Sequence, residues 1–116
     1  MIRQTKGPSE KMILNYILAQ LKLRYPPPYS LWERQNTVAV AGEDDKGNSR
    51  FIRAGTPGQA DIKGCHKGRF IELEVKRPGE EQTAKQRVRQ EVVRGAGGIY
   101  AVCFCPADAF AVVDSL

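Results

Sequence analysis

The sequence predicts an α/β domain, a mixed β-sheet flanked by α-helices, and three observations carry that expectation. Apolar residues recur at three- and four-residue spacing over 9–24, alternate with charged residues over 70–76, and run almost unbroken over 99–105. The first pattern is that of an amphipathic helix, the second of a strand with one polar face, and the third of a buried strand. At 116 residues the chain is expected to be one domain, with a single modest core and no separate recognition domain.

Taken in order, Ser9 is the expected N-cap of the first helix, whose inward face carries Ile13, Leu14, Ile17, Leu18 and Leu21, with Glu10 one turn before Leu14. Tyr25-Pro26-Pro27-Pro28-Tyr29 must end that helix, because consecutive prolines cannot continue it. Residues 31–34 and 37–40 look extended as a strand pair, 42–48 read as a polar hairpin loop holding Asp44 and Asp45, and 51–53 return. Gly55, Pro57 and Gly58 lead into a short strand over 61–63, and 64–68 close a hairpin into the strand over 69–76.

After Pro78-Gly79 a second helix is expected over 83–95. It opens with the capping-box pattern Thr83-x-x-Gln86 and stops at Gly95-Ala96-Gly97-Gly98. Pro106 opens a last short helix through 112 or 113. Because a helix joins the strand over 69–76 to the one over 99–105, those two are expected to lie parallel, with a right-handed crossover.

Lys and Arg outnumber Asp and Glu by 18 to 13, for a formal charge of +5 and a pI near 9.3, a balance that favours a polyanionic partner such as nucleic acid. No apolar run approaches the ~20 residues of a bilayer span, and the first six residues lack the apolar core of a signal peptide. A cytoplasmic protein with no membrane partner is the expectation. Cys65, Cys103 and Cys105 are odd in number, with Cys103 and Cys105 expected on one strand face, so no disulfide framework is expected. His66 is the only histidine; with Cys65-His66 in a turn and no knuckle spacing, the thiols read as inert rather than zinc-binding.

The chemistry concentrates in Gly58-Gln59-Ala60-Asp61-Ile62 and Ile71-Glu72-Leu73-Glu74-Val75-Lys76. On a half-buried strand Glu72, Glu74 and Lys76 share one side, and two residues span roughly 6 to 7 Å. A carboxylate and an ammonium at that spacing can serve one metal ion and the phosphate beside it, with Asp61 supplied by the neighbouring strand. Phosphodiester hydrolysis needs an activated water, neutralised phosphoryl oxygens and a stabilised leaving alkoxide. Oxygen ligands with open positions suit Mg²⁺ or Mn²⁺ for that work. A plain cross-strand salt bridge is the competing explanation of the same residues.

Gly58-Gln59-Ala60-Asp61, Glu74-Val75-Lys76-Arg77-Pro78 and Thr83-x-x-Gln86 together resemble the PD-(D/E)XK nuclease superfamily, and within it the virus-type replication-repair nuclease (VRR-NUC) family, over nearly the whole chain. The chain looks like a stand-alone minimal domain of the phage type. Ala60 stands where the superfamily's name puts proline, a position that shapes the turn and supplies no ligand. The resemblance implies a restriction-endonuclease-like mixed sheet flanked by helices. It also implies metal ligation by Asp61, Glu74 and the Val75 carbonyl, a catalytic role for Lys76, a supporting carboxylate at Glu10 and a glutamine at Gln86. Competing with the last two, a first-turn Glu10 already suits the helix dipole, and Gln86 already completes a capping box.

Lys63, Lys67, Arg69, Arg77, Lys85, Arg87 and Arg89, with Arg94, are candidates for gripping DNA phosphates. No reader of base edges is evident, so DNA shape is the expected determinant. The resemblance suggests branched DNA, with four-way (Holliday) junctions foremost. Two symmetric incisions call for a two-fold homodimer, with Trp32, Tyr25, Tyr29 and the triple proline as interface candidates. The alternatives are a flap- or nick-directed nuclease accessory to a helicase or packaging machine, and a non-catalytic nucleic-acid-binding module.

Overall fold

A computed structural model of the chain describes residues 7–35, 39–43, 45–47, 49–53 and 56–116. Helix α1 (Glu10–Arg24) starts at Ser9, whose hydroxyl accepts the Met12 N–H at 3.1 Å, and stops where the prolines begin. Its inward face is the one its spacing predicts. Leu14, Ile17 and Leu21 are buried, and Ile13 and Leu18 pack beside them.

Strand β1 (Ser30–Arg34), expected to pair with the next extended segment, pairs instead, among the described residues, with β4 (Ile62–His66) in antiparallel register, Trp32 opposite Gly64. Strands β2 (Ala39–Glu43) and β3 (Ser49–Arg53) form a hairpin that is a separate two-stranded sheet. The expected extended segment over 37–40 falls partly outside the described residues, as do Gly55 and Asp44. The short strand begins at Ile62 and runs through His66, so Cys65 and His66 lie on β4 and not in a turn.

Strand β5 (Arg69–Val75) pairs antiparallel with β4, Ile62 opposite Leu73, and parallel with β6 (Ile99–Cys103), Leu73 opposite Ala101. The main sheet runs β1-β4-β5-β6, so the parallel β5–β6 pair joined through helix α2 (Ala84–Gly95) is as the sequence predicts. The α2 capping box forms as read: Gln86 N–H donates to the Thr83 hydroxyl at 3.2 Å and Thr83 N–H to the Gln86 side-chain oxygen at 2.8 Å. The helix ends in a left-handed Gly97 (φ +87), where Gly98 N–H bonds to Val93 O and Gly97 N–H to Arg94 O, the crossed pair that satisfies the last carbonyls. Strand β6 is shorter than the apolar run, because Cys105 caps helix α3 (Pro106–Asp114). Cys103 is buried and Cys105 exposed, so the two do not share a strand face.

Leu14, Ile17 and Leu21 of α1 and Ala109 and Val113 of α3 pack with Ile62, Ile71, Leu73, Val75 and Trp32 of the sheet. Each such aliphatic side chain contributes about 1.5–3 kcal/mol when fully buried. Ala60, Val93 of α2 and Tyr100 of β6 form a second, smaller cluster. The β5 strand is therefore not half-buried, as its alternation predicts: Ile71 to Lys76 are all buried, and the charged residues Glu72, Glu74 and Lys76 are 2%, 2% and 7% exposed. No helix among the described residues is long and apolar enough to cross a membrane.

Candidate active site

Three elements bring their carboxylates together. Glu10 comes from the first turn of α1, Asp61 from the residue before β4, and Glu74 from β5; one oxygen of each lies within 4.8 Å of the others. The antiparallel register explains the meeting of Asp61 and Glu74, because with Ile62 opposite Leu73 the next pair outward is Asp61 and Glu74. Asp61 Oδ2 also accepts the Val75 N–H at 2.8 Å, which ties the loop to the strand.

The approach to Asp61 depends on Gly58. Its φ of +80 is in the left-handed region, and a Cβ there would collide with the Lys85 backbone carbonyl of α2. This is a specific reason for the glycine in Gly58-Gln59-Ala60-Asp61.

Electrostatics favour a cation. Burial, followed by the hydrogen bond and charge of Asp61, pushes the Glu74 carboxyl up to about 8. Glu10 is also raised, first by burial and then by Glu80 and Asp61. Lys76, buried just past the end of β5, opposes both shifts, so its ammonium lies within electrostatic reach of the carboxylates. Three carboxylates, one buried and two partly exposed, lie together with one ammonium in electrostatic reach, and an all-oxygen donor set is of the kind that suits a hard divalent ion such as Mg²⁺ or Mn²⁺. The donor chemistry is compatible with the expected metal, which Glu10, Asp61 and Glu74 could hold through one carboxylate oxygen each.

Gln86 is half-buried and spends its side-chain oxygen on the helix cap. The Val75 N–H is bonded to Asp61 of the carboxylate cluster. Of the basic candidates, Lys67, Arg69, Lys85 and Arg87 are exposed, and Lys63 and Arg77 are partly so. Lys63 and Arg87 make only loose 4.0 Å ion pairs, with Glu33 and Glu81. Arg69 donates to Gly97 O at 3.3 Å, and Arg94 to Tyr100 O at 3.3 Å. Arg89 departs from the expectation: its guanidinium grips Glu72 through both carboxylate oxygens, at 2.8 to 3.2 Å, and is only 18% exposed. Trp32 likewise packs in the core at 4% exposure, whereas Tyr29 is 74% exposed.

Two residues at the site, Tyr100 and Glu80, escape the sequence reading, and a third, Glu72, is anticipated only by its side of the strand. The Tyr100 hydroxyl lies 3.1 Å from Glu74 Oε2 and 3.2 Å from Gly58 O. Glu80 accepts the Arg77 N–H at 2.6 Å and lies close enough to Glu10 to push its carboxyl up. Glu72 accepts the Ala60 N–H at 3.1 Å besides its bond to Arg89. The one signal for Tyr100 is a polar-tipped aromatic inside an apolar strand, where a buried hydroxyl demands a partner. A groove of about 700 Å³, lined by Ile13, Arg77, Pro78, Gly79, Glu80 and Phe104 among others, borders the cluster at Glu80.

The fold and site define the class: an α/β protein with a mixed four-stranded sheet flanked by three helices, compatible with a restriction-endonuclease-like arrangement. No protein-family model matches this chain, and no curated protein matches it.

Proposed function

We propose that the protein is a Mg²⁺- or Mn²⁺-dependent, structure-selective DNA endonuclease of the VRR-NUC type, acting on four-way junctions as a homodimer in the cytoplasm of a bacterial host. The observation that carries this reading is the meeting of Glu10, Asp61 and Glu74 from three separate elements, with Lys76 beside them. A surface salt bridge gathers charges in pairs; this arrangement sets three carboxylates, Glu74 buried and Glu10 and Asp61 partly exposed, against one buried ammonium, more acid than a simple ion pair uses.

Glu10, Asp61 and Glu74 would hold the metal, which when bound supplies an acidified water and neutralises charge on the phosphate. The protein's own groups do the rest. Asp61 is held in register by the Val75 N–H. Lys76 would steady the anionic phosphoryl oxygens or orient the attacking water, its ammonium lying within electrostatic reach of Glu10 and Glu74. The groove beside Glu80 has room for the strand leading away from the scissile phosphate. Exposed Lys67, Arg69, Lys85 and Arg87, with Lys63 and Arg77, supply sequence-independent contacts to the phosphodiester backbone. Arg89 is removed from that set, because it neutralises Glu72.

The test is cleavage of an end-labelled four-way junction with Mg²⁺ or Mn²⁺, beside flap and nicked duplexes, with Asp61→Ala as control. Symmetric incisions that need the metal and Asp61 support the reading. Cutting confined to flaps or nicks moves the substrate assignment. Cleavage equal in wild type and control removes the proposed site, and binding with no cleavage by either leaves a nucleic-acid-binding module. Light scattering reads the dimer.

A further inference from the structure

We infer that Tyr100 and the Glu72–Arg89 pair are positioning residues for the metal ligands, a brace that sets Glu74 and Asp61 from behind; this rests on the metal-site reading above. Two observations carry it, one for each ligand.

On the Glu74 side, the Tyr100 ring is 1% exposed, and its hydroxyl points at Glu74 Oε2 and Gly58 O and carries one proton for two acceptors. When Glu74 is ionised the phenol donates to Oε2 and so fixes the orientation of the carboxylate. A phenylalanine fills the same space with no such direction. The hydroxyl thus stands between two chain segments, the strand that bears Glu74 and the loop that delivers Asp61, and its single proton serves one of them at a time.

On the Asp61 side, Glu72 Oε1 accepts the N–H of Ala60, the residue directly before Asp61. Glu72 is 2% exposed and held by Arg89, whose planar fork bonds both oxygens. Arg89 stands on α2, the same helix whose Lys85 carbonyl allows no side chain at position 58. Helix α2 therefore sets the loop from Gly58 to Asp61 at both ends. In metal proteins, partners that orient the ligands typically change metal affinity ten- to a hundredfold when removed.

The experiment is a Mn²⁺ titration followed by electron paramagnetic resonance on wild type, Tyr100→Phe and Arg89→Lys, with circular dichroism to establish that each is folded. Arg89→Lys keeps the charge on buried Glu72 neutralised but not the two-pronged geometry, so it guards against simple misfolding. The brace predicts a Mn²⁺ dissociation constant raised tenfold or more in Tyr100→Phe and, by a smaller factor, in Arg89→Lys. It also predicts that junction cleavage by Tyr100→Phe returns to within about threefold of wild type once metal is saturating, a split between metal requirement and rate that general loosening of the fold would not produce. Wild-type affinity in a folded Tyr100→Phe overturns the brace and leaves the metal site standing. Failure of the wild type itself to bind Mn²⁺ overturns both.

Discussion

Replacing Glu74 with glutamine separates the two roles of that carboxyl, because the substitution should stabilise the metal-free fold while destroying the metal site. Glu74 is 2% exposed, and burial followed by Asp61 raises it from 4.5 to about 8. At pH 7 the unfolded chain carries Glu74 ionised, whereas folding without metal must protonate it, at a cost of about 3 kcal/mol for the span from 4.5 to 7. Glutamine needs no proton, and its amide N–H can donate to Asp61 where the protonated carboxyl did. Allowing about 1 kcal/mol for imperfect hydrogen bonding, the metal-free variant should gain about 2 kcal/mol, or roughly 8 °C in Tm for a domain of this size. A carboxyl raised on folding contributes its full stability below its unfolded value and loses it as pH climbs through its folded one. The advantage of Glu74→Gln should therefore be absent near pH 4.5 and largest from pH 8 upward. Thermal melts in EDTA at pH 5 and pH 8, repeated with Mn²⁺, read this. The wild type should gain stability from Mn²⁺ and the variant much less. A variant less stable than wild type in EDTA at pH 8, or a difference that does not change with pH, would refute the electrostatic reasoning.

Lys76→Met should lower single-turnover junction cleavage by about 10²–10³-fold while Mn²⁺ binding persists, if the ammonium acts on the reacting phosphate as proposed and not as a ligand; loss of metal binding instead would reassign it. Gly58→Ala puts a Cβ both at φ +80 and against the Lys85 carbonyl, so urea denaturation should show a loss of more than about 2 kcal/mol, and a loss under 0.5 would contradict the close approach. Burial pushes the Cys103 thiol up to about 12, so iodoacetamide at pH 8 should modify exposed Cys105 and leave Cys103 untouched until the protein is unfolded, as read by peptide mass spectrometry.

What could be read from the sequence was local. Ser9 and the Thr83–Gln86 box announce their helices because a cap is satisfied within three residues, and the Gly95–Gly98 stop is equally self-contained. That Asp61, Glu74 and Glu10 meet follows in the sequence only from a resemblance, and the β4–β5 register brings the first two side by side. Pairing over distance was not legible. Nothing near residue 31 says that its partner is β4 rather than the next extended segment, since register there depends on Trp32 packing over Gly64. The alternation over 70–76 was likewise read as one wet face, because a sequence period cannot show that α2 and the loop from Gly58 to Asp61 cover it. Arg89 looked like a surface cation for the same reason, with its partner Glu72 seventeen residues away.

The central claim is that Glu10, Asp61 and Glu74 hold one divalent ion beside Lys76. Crystals grown with Mn²⁺ and measured at the manganese absorption edge test it most directly. The prediction is a single strong anomalous peak within about 2.3 Å of an oxygen from each of Asp61 and Glu74, with Glu10 alongside. A map with no peak at that cluster, or with manganese bound only elsewhere, would contradict it.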